Sequence, residues 1–529
     1  MRGVGSSVFV ASFVGAVGLA STARAQSGIG WEIVGSPGIS DGPVMCCEIA
    51  ADRAGNVFVA YQDDSIGTNP ASVMRFQAGD WQFVGPQGGA SIRQAWYNHL
   101  AFDTAGTAYL VCRDYGVNGK INVRRNFHSD GAWSDVGAPG HSADEAHYTD
   151  IAVDTAGVPY VVYADRSTTP PDRASVLRFV NGHWQYVGAP GVSAAKADYP
   201  SIAVDPSGRA VIAFSDRSHD DASHTGCVSV MRFDPATNAW GYLGAPGFTP
   251  GGGLNVRLAF DNHGTPHVAY QRYHSSINVW KLNGTQWVQV GGPASGFDHP
   301  TVETEPWRQW LSLDFDSQNA PYVAYQRLDD QNKAAVRKFD GQSWVAVGAL
   351  GFTPPNADYM AMAVDDFDVP WVVFRDSTQG GRATVMRYAP TPYSYCTPTT
   401  DSLGCVPRIA VNGTRASGSV PFDVTTGGVI SRRTGVLIYG YRPARHPFPG
   451  AFLCVAPPYH TVGSQPTGGS PNANDCTGSM SFDFSSWIRS GIDPGLVPGK
   501  VVFAQFWYRD PWTPARAGLT DAVRFEIGL

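Results

Sequence analysis

Seven times between Trp31 and Trp344 the chain writes Trp, two residues, then Val-Gly or Leu-Gly: at Trp31, Trp81, Trp133, Trp184, Trp240, Trp287 and Trp344. The steps between these tryptophans run from 47 to 57 residues. A period of that length with one aromatic marker per unit predicts stacked β modules rather than a single irregular core. One unit, the third, reads Tyr148-Thr-Asp-Ile-Ala-Val-Asp154, a turn ending at Gly157, Pro159-Tyr-Val-Val-Tyr-Ala-Asp165, a polar loop, Ala174-Ser-Val-Leu-Arg-Phe179, Asn181-Gly182 and Trp184-Gln-Tyr-Val-Gly188. These are four short alternating or β-branched runs, each bounded by turn chemistry. Asp154 with Gly157 suits a type I turn, and Asn181-Gly182 a tight hairpin that needs positive φ.

First strands end at Asp52, Asp103, Asp154, Asp205, Asp261, Asp314 and Asp365, which counts seven units. The seventh lacks a Trp-x-x-Val-Gly strand, and a spare one, Trp31-Glu-Ile-Val-Gly35, precedes the first. The expectation is an all-β, seven-bladed β-propeller over 26–390, closed by the N-terminal strand, which hides the blade edges. Pro390-Thr-Pro392 marks the exit. From there, 391–529 loses the repeat and is expected to form a small disulfide-containing β-sandwich-like domain. Its strands are expected at Val429 to Tyr441, Ala451 to Ala456 and Val501 to Trp507, with a short turn or helix at Phe482 to Gly491.

Residues 1–25 read as a signal peptide: Arg2, an apolar run from Val8 to Ala20, and Ala23-Arg24-Ala25 before Gln26. That run is too short to cross a bilayer core of roughly 30 Å. A secreted or cell-surface protein with no membrane span in the mature chain is expected. Formal charge is −7, or −9 without Arg2 and Arg24, and no basic stripe survives to suit nucleic acid. Sixty Gly and 38 Pro fit a turn-rich β protein.

Of eight cysteines, Cys396, Cys405, Cys454 and Cys476 lie in the last third, and four allow three pairings. Nearest-neighbour spacing favours Cys396–Cys405 and Cys454–Cys476. Cys112 occupies a slot held elsewhere by Tyr61, Tyr163, Phe214, Tyr270, Tyr325 or Phe374, so a small buried hydrophobe is its expected role. The state of Cys46, Cys47 and Cys227 stays open. No Cys-x-x-Cys is present, so no metal is expected, and no motif calls for a cofactor.

The units, for example Ala71-Ser-Val-Met-Arg-Phe76 followed by Trp81-Gln-Phe-Val-Gly85, resemble the propeller repeats of exported bacterial surface proteins in the sialidase-like and kelch-like neighbourhood. The tail carries Tyr395-Cys396, Gly404-Cys405-Val-Pro407, Phe452-Leu-Cys-Val-Ala-Pro-Pro458, Asn474-Asp-Cys476 and Gln505-Phe-Trp-Tyr-Arg-Asp510. It is similar to a C-terminal domain common on secreted proteins of environmental bacteria. Neither resemblance brings an activity, and the Ser-x-Asp-x-Gly-x-Thr-Trp boxes of true sialidases are absent.

Aligning first strands on their final Asp makes one face legible. Six residues earlier stand Cys46, Tyr97, Tyr148, Tyr199, Asn255, Arg308 and Tyr359; four earlier stand Glu48, His99, Asp150, Ser201, Arg257, Trp310 and Ala361. Two earlier there is always Ala or Ser. Period-two alternation puts these positions on one side of the strand, lining a channel. Arg272 and Arg327 replace an Asp found at Asp63, Asp114, Asp165, Asp216 and Asp376. Arg257, Arg272, Arg308 and Arg327 are expected to share a rim as an anion pocket, or else to pair with Asp329, Asp330 or Glu303. Tyr97, Tyr199, Trp310 and Tyr359 join Arg272, Arg308 and Arg327 as ligand-binding candidates.

Binding of an extracellular polysaccharide or surface polymer, without catalysis, is the preferred reading. The alternative is a polysaccharide lyase or glycosidase with His99, Tyr148 and Arg257 in catalytic roles. His147 and His274 lie in the mouth loops. Glu48 and Asp150 are the carboxylates that a glycosidase would need, though they stand two blades apart.

Overall fold

The computed structural model describes residues 30–77, 80–127, 131–220, 226–272, 276–292, 310–388, 392–413, 415–472, 474–498 and 500–528. The leader read at 1–25 and Arg308, His274 and Glu303 lie outside the described residues.

Seven four-stranded antiparallel sheets are formed by the described residues up to Tyr388. Sheet one runs Val44–Ala51, Val57–Asp63, Ala71–Gln77 and Asp80–Phe83. Sheets two to seven begin with Ala95–Phe102, Ala146–Val153, Ala197–Val204, Gly253–Phe260, Leu311–Phe315 and Ala357–Val364. Each first strand packs against the next, and that of sheet seven against that of sheet one. This is the arrangement of a β-propeller. In sheet seven the fourth strand is Trp31–Ile33, paired in register with Met386–Tyr388.

The Trp-x-x-Val/Leu-Gly signature is what joins sheet to sheet. Each indole N–H donates to the carbonyl of the Val or Leu in the preceding copy: Trp81 to Val34 (2.9 Å), Trp133 to Val84 (2.8 Å), Trp184 to Val136 (2.7 Å) and Trp240 to Val187 (2.7 Å). The series continues with Trp287 to Leu243 (2.6 Å), Trp344 to Val290 (3.3 Å) and Trp31 to Val347 (2.8 Å). The glycine that follows is bound to be Gly for two reasons. It has positive φ, 73° at Gly85 and 81° at Gly244, which side chains rarely adopt. A Cβ on Gly244 would also fall 2.7 Å from Trp287 Cδ1, and one on Gly35 2.9 Å from Trp81 Cδ1.

Asp52 and its counterparts close the turn between first and second strands. Asp52 Oδ1 accepts from Ala54 N (2.9 Å) and Asn56 N (2.8 Å), and Asp154 repeats this with Ala156 and Val158. In sheet six that work falls to Asp316, which accepts from Gln318 N (3.0 Å) and Ala320 N (2.9 Å). The alignment on Asp314 is therefore two residues out of register. Asp314 instead accepts from Phe315 N and, across to sheet seven, from Val364 N at 2.7 Å.

From Tyr393 the chain builds a larger sheet, including Ala517–Glu526, Val501–Arg509 and Thr434–Gly440, and a three-stranded one of Arg408–Val411, Asp423–Val429 and Gly478–Asp483. Phe422, Phe484, Phe506 and Phe525 are buried in one core with residues of both. The run expected as one strand at Val429 to Tyr441 is two, broken at 430–433. The turn or helix at Phe482 to Gly491 is the helix Phe484–Ser490, capped by Asp483 and Gly491.

The expected disulfide pairing is wrong: Cys396 pairs with Cys454 and Cys405 with Cys476. A tight turn decides it. Asp401 Oδ1 accepts from Leu403 N (3.0 Å) and Cys405 N (2.8 Å), folding Cys405 into the core shared with the three-stranded sheet. Cys396 stays beside the strand Ala451–Val455, where Tyr395 donates to the Cys454 carbonyl at 2.6 Å. Cys46, Cys47, Cys112 and Cys227 are buried and lie outside the two disulfides.

Candidate functional site

The heads of the first strands carry the site, and a recurring irregularity aims them. In sheets one to five and seven the first strand slips register against the second, as between Met45 and Glu48 or His147 and Asp150. At each slip a non-glycine residue takes positive φ: Cys46 49°, Tyr97 56°, Tyr148 50°, Tyr199 51°, Asn255 52° and Tyr359 49°. Such backbone is uncommon for any side chain and strained for an aromatic one. Bonds to the neighbouring sheet hold it in place. Thr149 Oγ1 donates to the Tyr97 carbonyl (2.7 Å) and Asn98 Nδ2 to that of Cys46 (3.4 Å). Bulges of this kind re-aim side chains next to functional sites.

These residues line one cavity of about 450 Å³. Its upper tier is aromatic on one side: ring centroids of Tyr97 and Tyr148 are 5.1 Å apart, and those of Tyr148 and Tyr199 4.8 Å. Corrected to Asp316, the sixth unit puts Trp310 in the tyrosine slot, 4.8 Å from the Tyr359 ring. Ser312, not Trp310, then holds the lower slot, and Arg308 holds neither. The sequence contained the signal: Asp316 stands five residues before Pro321, as Asp154 does before Pro159 and Asp365 before Pro370.

The lower tier is polar. His99 Nδ1 lies 3.7 Å from Glu48 and 3.6 Å from Asp150. Asp150 Oδ2 accepts from Ser201 Oγ (2.9 Å) and Ile202 N (3.0 Å), and Ser201 Oγ accepts from Leu258 N (3.2 Å). Asp150 and Ser201 are thus sheet-to-sheet links. Arg257 donates to its neighbour's carbonyl, Val256 O, at 3.2 Å, and no carboxylate of the described residues pairs with it.

Burial, opposed by Arg257 and reinforced by Asp150, pushes the Glu48 carboxyl up to about 8. Burial pushes His99 down to about 4, against the pull of Asp150. Their side chains keep 21% and 17% of their surface open, so water entering the cavity softens both shifts. The two shifts run in opposite senses and favour a protonated acid beside an uncharged imidazole. Burial raises Tyr97 and Tyr148 above their ordinary range, Tyr199 to about 12, and the Cys46 thiol to about 12.

His99, Tyr148, Arg257, Tyr97, Tyr199, Trp310 and Tyr359 all line this cavity, as do Asn255, Cys46 and Cys47. Arg272 and Arg327 do not line it, and Arg308 lies outside the described residues. Arg272 and Arg327 each end a second strand, outside the channel-lining first strands. Arg327 is paired with Asp329 (2.8 Å) and Asp330 (3.7 Å). The Asp that these arginines replace is a local cap: Asp165 accepts from Ser167 N, Ser167 Oγ and Ser175 Oγ. His147 sits among Glu145 and Asp172 rather than in the cavity. Among the described residues no group of three or more His, Cys, Asp or Glu is placed to hold a metal ion.

No family model matches the chain, and no curated protein matches it either. Among solved structures it is similar to an ulvan lyase bound to a glucuronate–sulfated rhamnose saccharide (13% identity, TM-score 0.43, covering 67% of this chain and 94% of that one). It is also similar to the six-bladed fucose lectin of Aleuria aurantia (13%, 0.40, 59% and 98%) and to a Hadza microbial sialidase (11%, 0.39, 64% and 74%). What each of those proteins binds or cleaves is a property of that protein.

Proposed function

We propose that the protein is an exported, closed seven-bladed β-propeller over 26–390 with a C-terminal β domain over 391–529, and that it binds a saccharide of an extracellular polymer in its axial cavity without cleaving it. The observation that carries this is the aromatic arc of Tyr97, Tyr148 and Tyr199, held by strained backbone around a cavity with a few polar groups at its base. Aromatic faces beside sparse, fixed polar groups are how concave sites hold sugars. Two disulfides suit an oxidising compartment, and no helix of the described residues is long and apolar enough to cross a membrane.

Catalysis has one observation in its favour: Glu48 and His99, with their proton affinities pushed apart, share a cavity with Tyr148 and Arg257. Three facts weigh against it. The His99 imidazole stands between Glu48 and Asp150, where a glycosidase would seat its substrate. Asp150 is engaged by the neighbouring sheet, and Tyr148 is raised away from the range of a base at neutral pH. A glycan array on the mature chain, run beside an absorbance assay for newly formed carbon–carbon double bonds and a reducing-end assay, tests the reading. Retained glycans with no product support binding; steady product formation that Glu48→Gln abolishes would replace it with the enzyme.

A further inference from the structure

The cavity wall is not uniform around its axis. Sheets two to four contribute the tyrosine arc; sheets five and six contribute donors with nothing to donate to. Asn255 Nδ2 and Trp310 Nε1 are buried, and neither has a hydrogen-bond partner. Both side chains line the cavity, as does Arg257 one tier below Asn255 on the same strand. Arg257 has five N–H groups and spends one on the Val256 carbonyl. Orphaned buried donors are costly, so a site that keeps them has a use for an acceptor. The orphan acceptor of the same wall, Asn98 Oδ1, belongs to sheet two, on the aromatic side.

Building on the saccharide reading, we propose that the cavity selects a sugar carrying an anionic substituent, a carboxylate above all, seated on Arg257, Asn255 and Trp310 while its ring lies against Tyr97, Tyr148 and Tyr199. A carboxylate offers two oxygens and four lone-pair directions, which matches a guanidinium fork plus two separate N–H groups. A neutral hydroxymethyl at the same position offers one oxygen and no charge, and leaves at least one of these donors orphaned. The base of the cavity does not compete for Arg257, because no carboxylate of the described residues pairs with it. Arg272 and Arg327 have no part in this site.

The test is calorimetric titration of the full mature chain at neutral pH with three oligosaccharide probes of equal length: an oligouronate, its carboxyl-reduced neutral counterpart and a sulfated neutral oligomer. A preference for the oligouronate over its reduced counterpart of at least about tenfold is expected, as ionic hydrogen bonds in a partly dry site give. Arg257→Gln should collapse that ratio towards one, and Arg257→Lys should keep part of it, with unchanged near-ultraviolet circular dichroism showing both folded. Sulfated probe binding tighter than oligouronate would keep the anion site and overturn carboxylate as its ligand. Equal affinity for uronate and reduced probe overturns the proposal and leaves saccharide binding standing. If none of the probes and no glycan of the array binds, both readings fall.

Discussion

The rim and the axis of this propeller are built from the same repeats and obey opposite rules. At the rim, every copy places Trp, then Val or Leu, then Gly, because each position is tied to the next sheet: an indole N–H, a carbonyl and a missing Cβ. At the axis the backbone repeats just as faithfully, with the same register slip and positive φ in six sheets, yet the side chains at that slip are Cys, Tyr, Tyr, Tyr, Asn and Tyr. Rim identity follows from packing. The axial residues are held in strained conformations that no rim contact requires, and their variety is what the proposed saccharide site rests on.

The largest effects should come from the rim. Trp133 is buried and its N–H is bonded to the Val84 carbonyl, so Trp133→Ala should destabilise by about 3–5 kcal/mol, read from urea unfolding. Arg257→Gln, at the axis, should change stability by less than about 1 kcal/mol. Equal losses at the two sites would erase the distinction drawn between rim and axis. The rim glycine comes next. Gly244→Ala meets both a positive φ of 81° and the Trp287 ring, and about 2 kcal/mol should be lost. Gly182→Ala, with φ of 80° in a hairpin and open space around it, should lose less, since it bears the strain without the collision. If the two cost the same, the glycine serves backbone conformation alone and the Trp contact is incidental.

Smaller still is the axial aromatic arc. Tyr148→Ala should weaken saccharide binding by about tenfold while Tyr186→Ala, on an outer strand, leaves it unchanged. A matched loss at both would mean that the ligand sits at the rim rather than on the axis.

How much of this was legible follows the same division. Trp-x-x-Val/Leu-Gly is visible because three residues must recur together, and its count gave the four-stranded units and the displaced strand Trp31–Ile33. The axial positions were readable wherever the closing Asp was identified correctly. They were misread in sheet six, where Leu311-Ser-Leu-Asp-Phe-Asp316 offers two aspartates two residues apart, and both choices preserve the period-two face. Only the distance to Pro321 separates them. The register slips left no composition signal: Tyr and Asn at positive φ look like ordinary strand residues until the pairing is seen. The disulfides were misread because closeness along the chain says nothing about a turn such as Asp401–Cys405 that reverses direction between two cysteines. The arginines at Arg272 and Arg327 were grouped with Arg257 because all three depart from the repeat. Departure marked them without saying which surface they occupy.

The finest test sets the two polar groups at the axial base against each other through pH. Folding raises Glu48 from an ordinary carboxyl to about 8, so between about pH 4.5 and 8 the folded chain holds a proton that the unfolded chain has released. Stability from this group therefore falls as pH rises across that window. Folding lowers His99 to about 4, so between about pH 4 and 6.5 the unfolded chain holds the extra proton and stability from His99 rises with pH. Asp150 and Arg257 face both groups and set the balance, Asp150 favouring the protonated forms and Arg257 opposing them. Glu48→Gln should flatten the decline between pH 6.5 and 8, where His99 contributes nothing, and His99→Gln should flatten the acid side alone. Denaturation midpoints recorded across this range at fixed ionic strength read both slopes. No rim substitution touches either group, so Gly244→Ala should lower the whole curve without changing its shape. A rim variant that altered the shape would show that the two regions are coupled, and that the division between them is not one the molecule keeps.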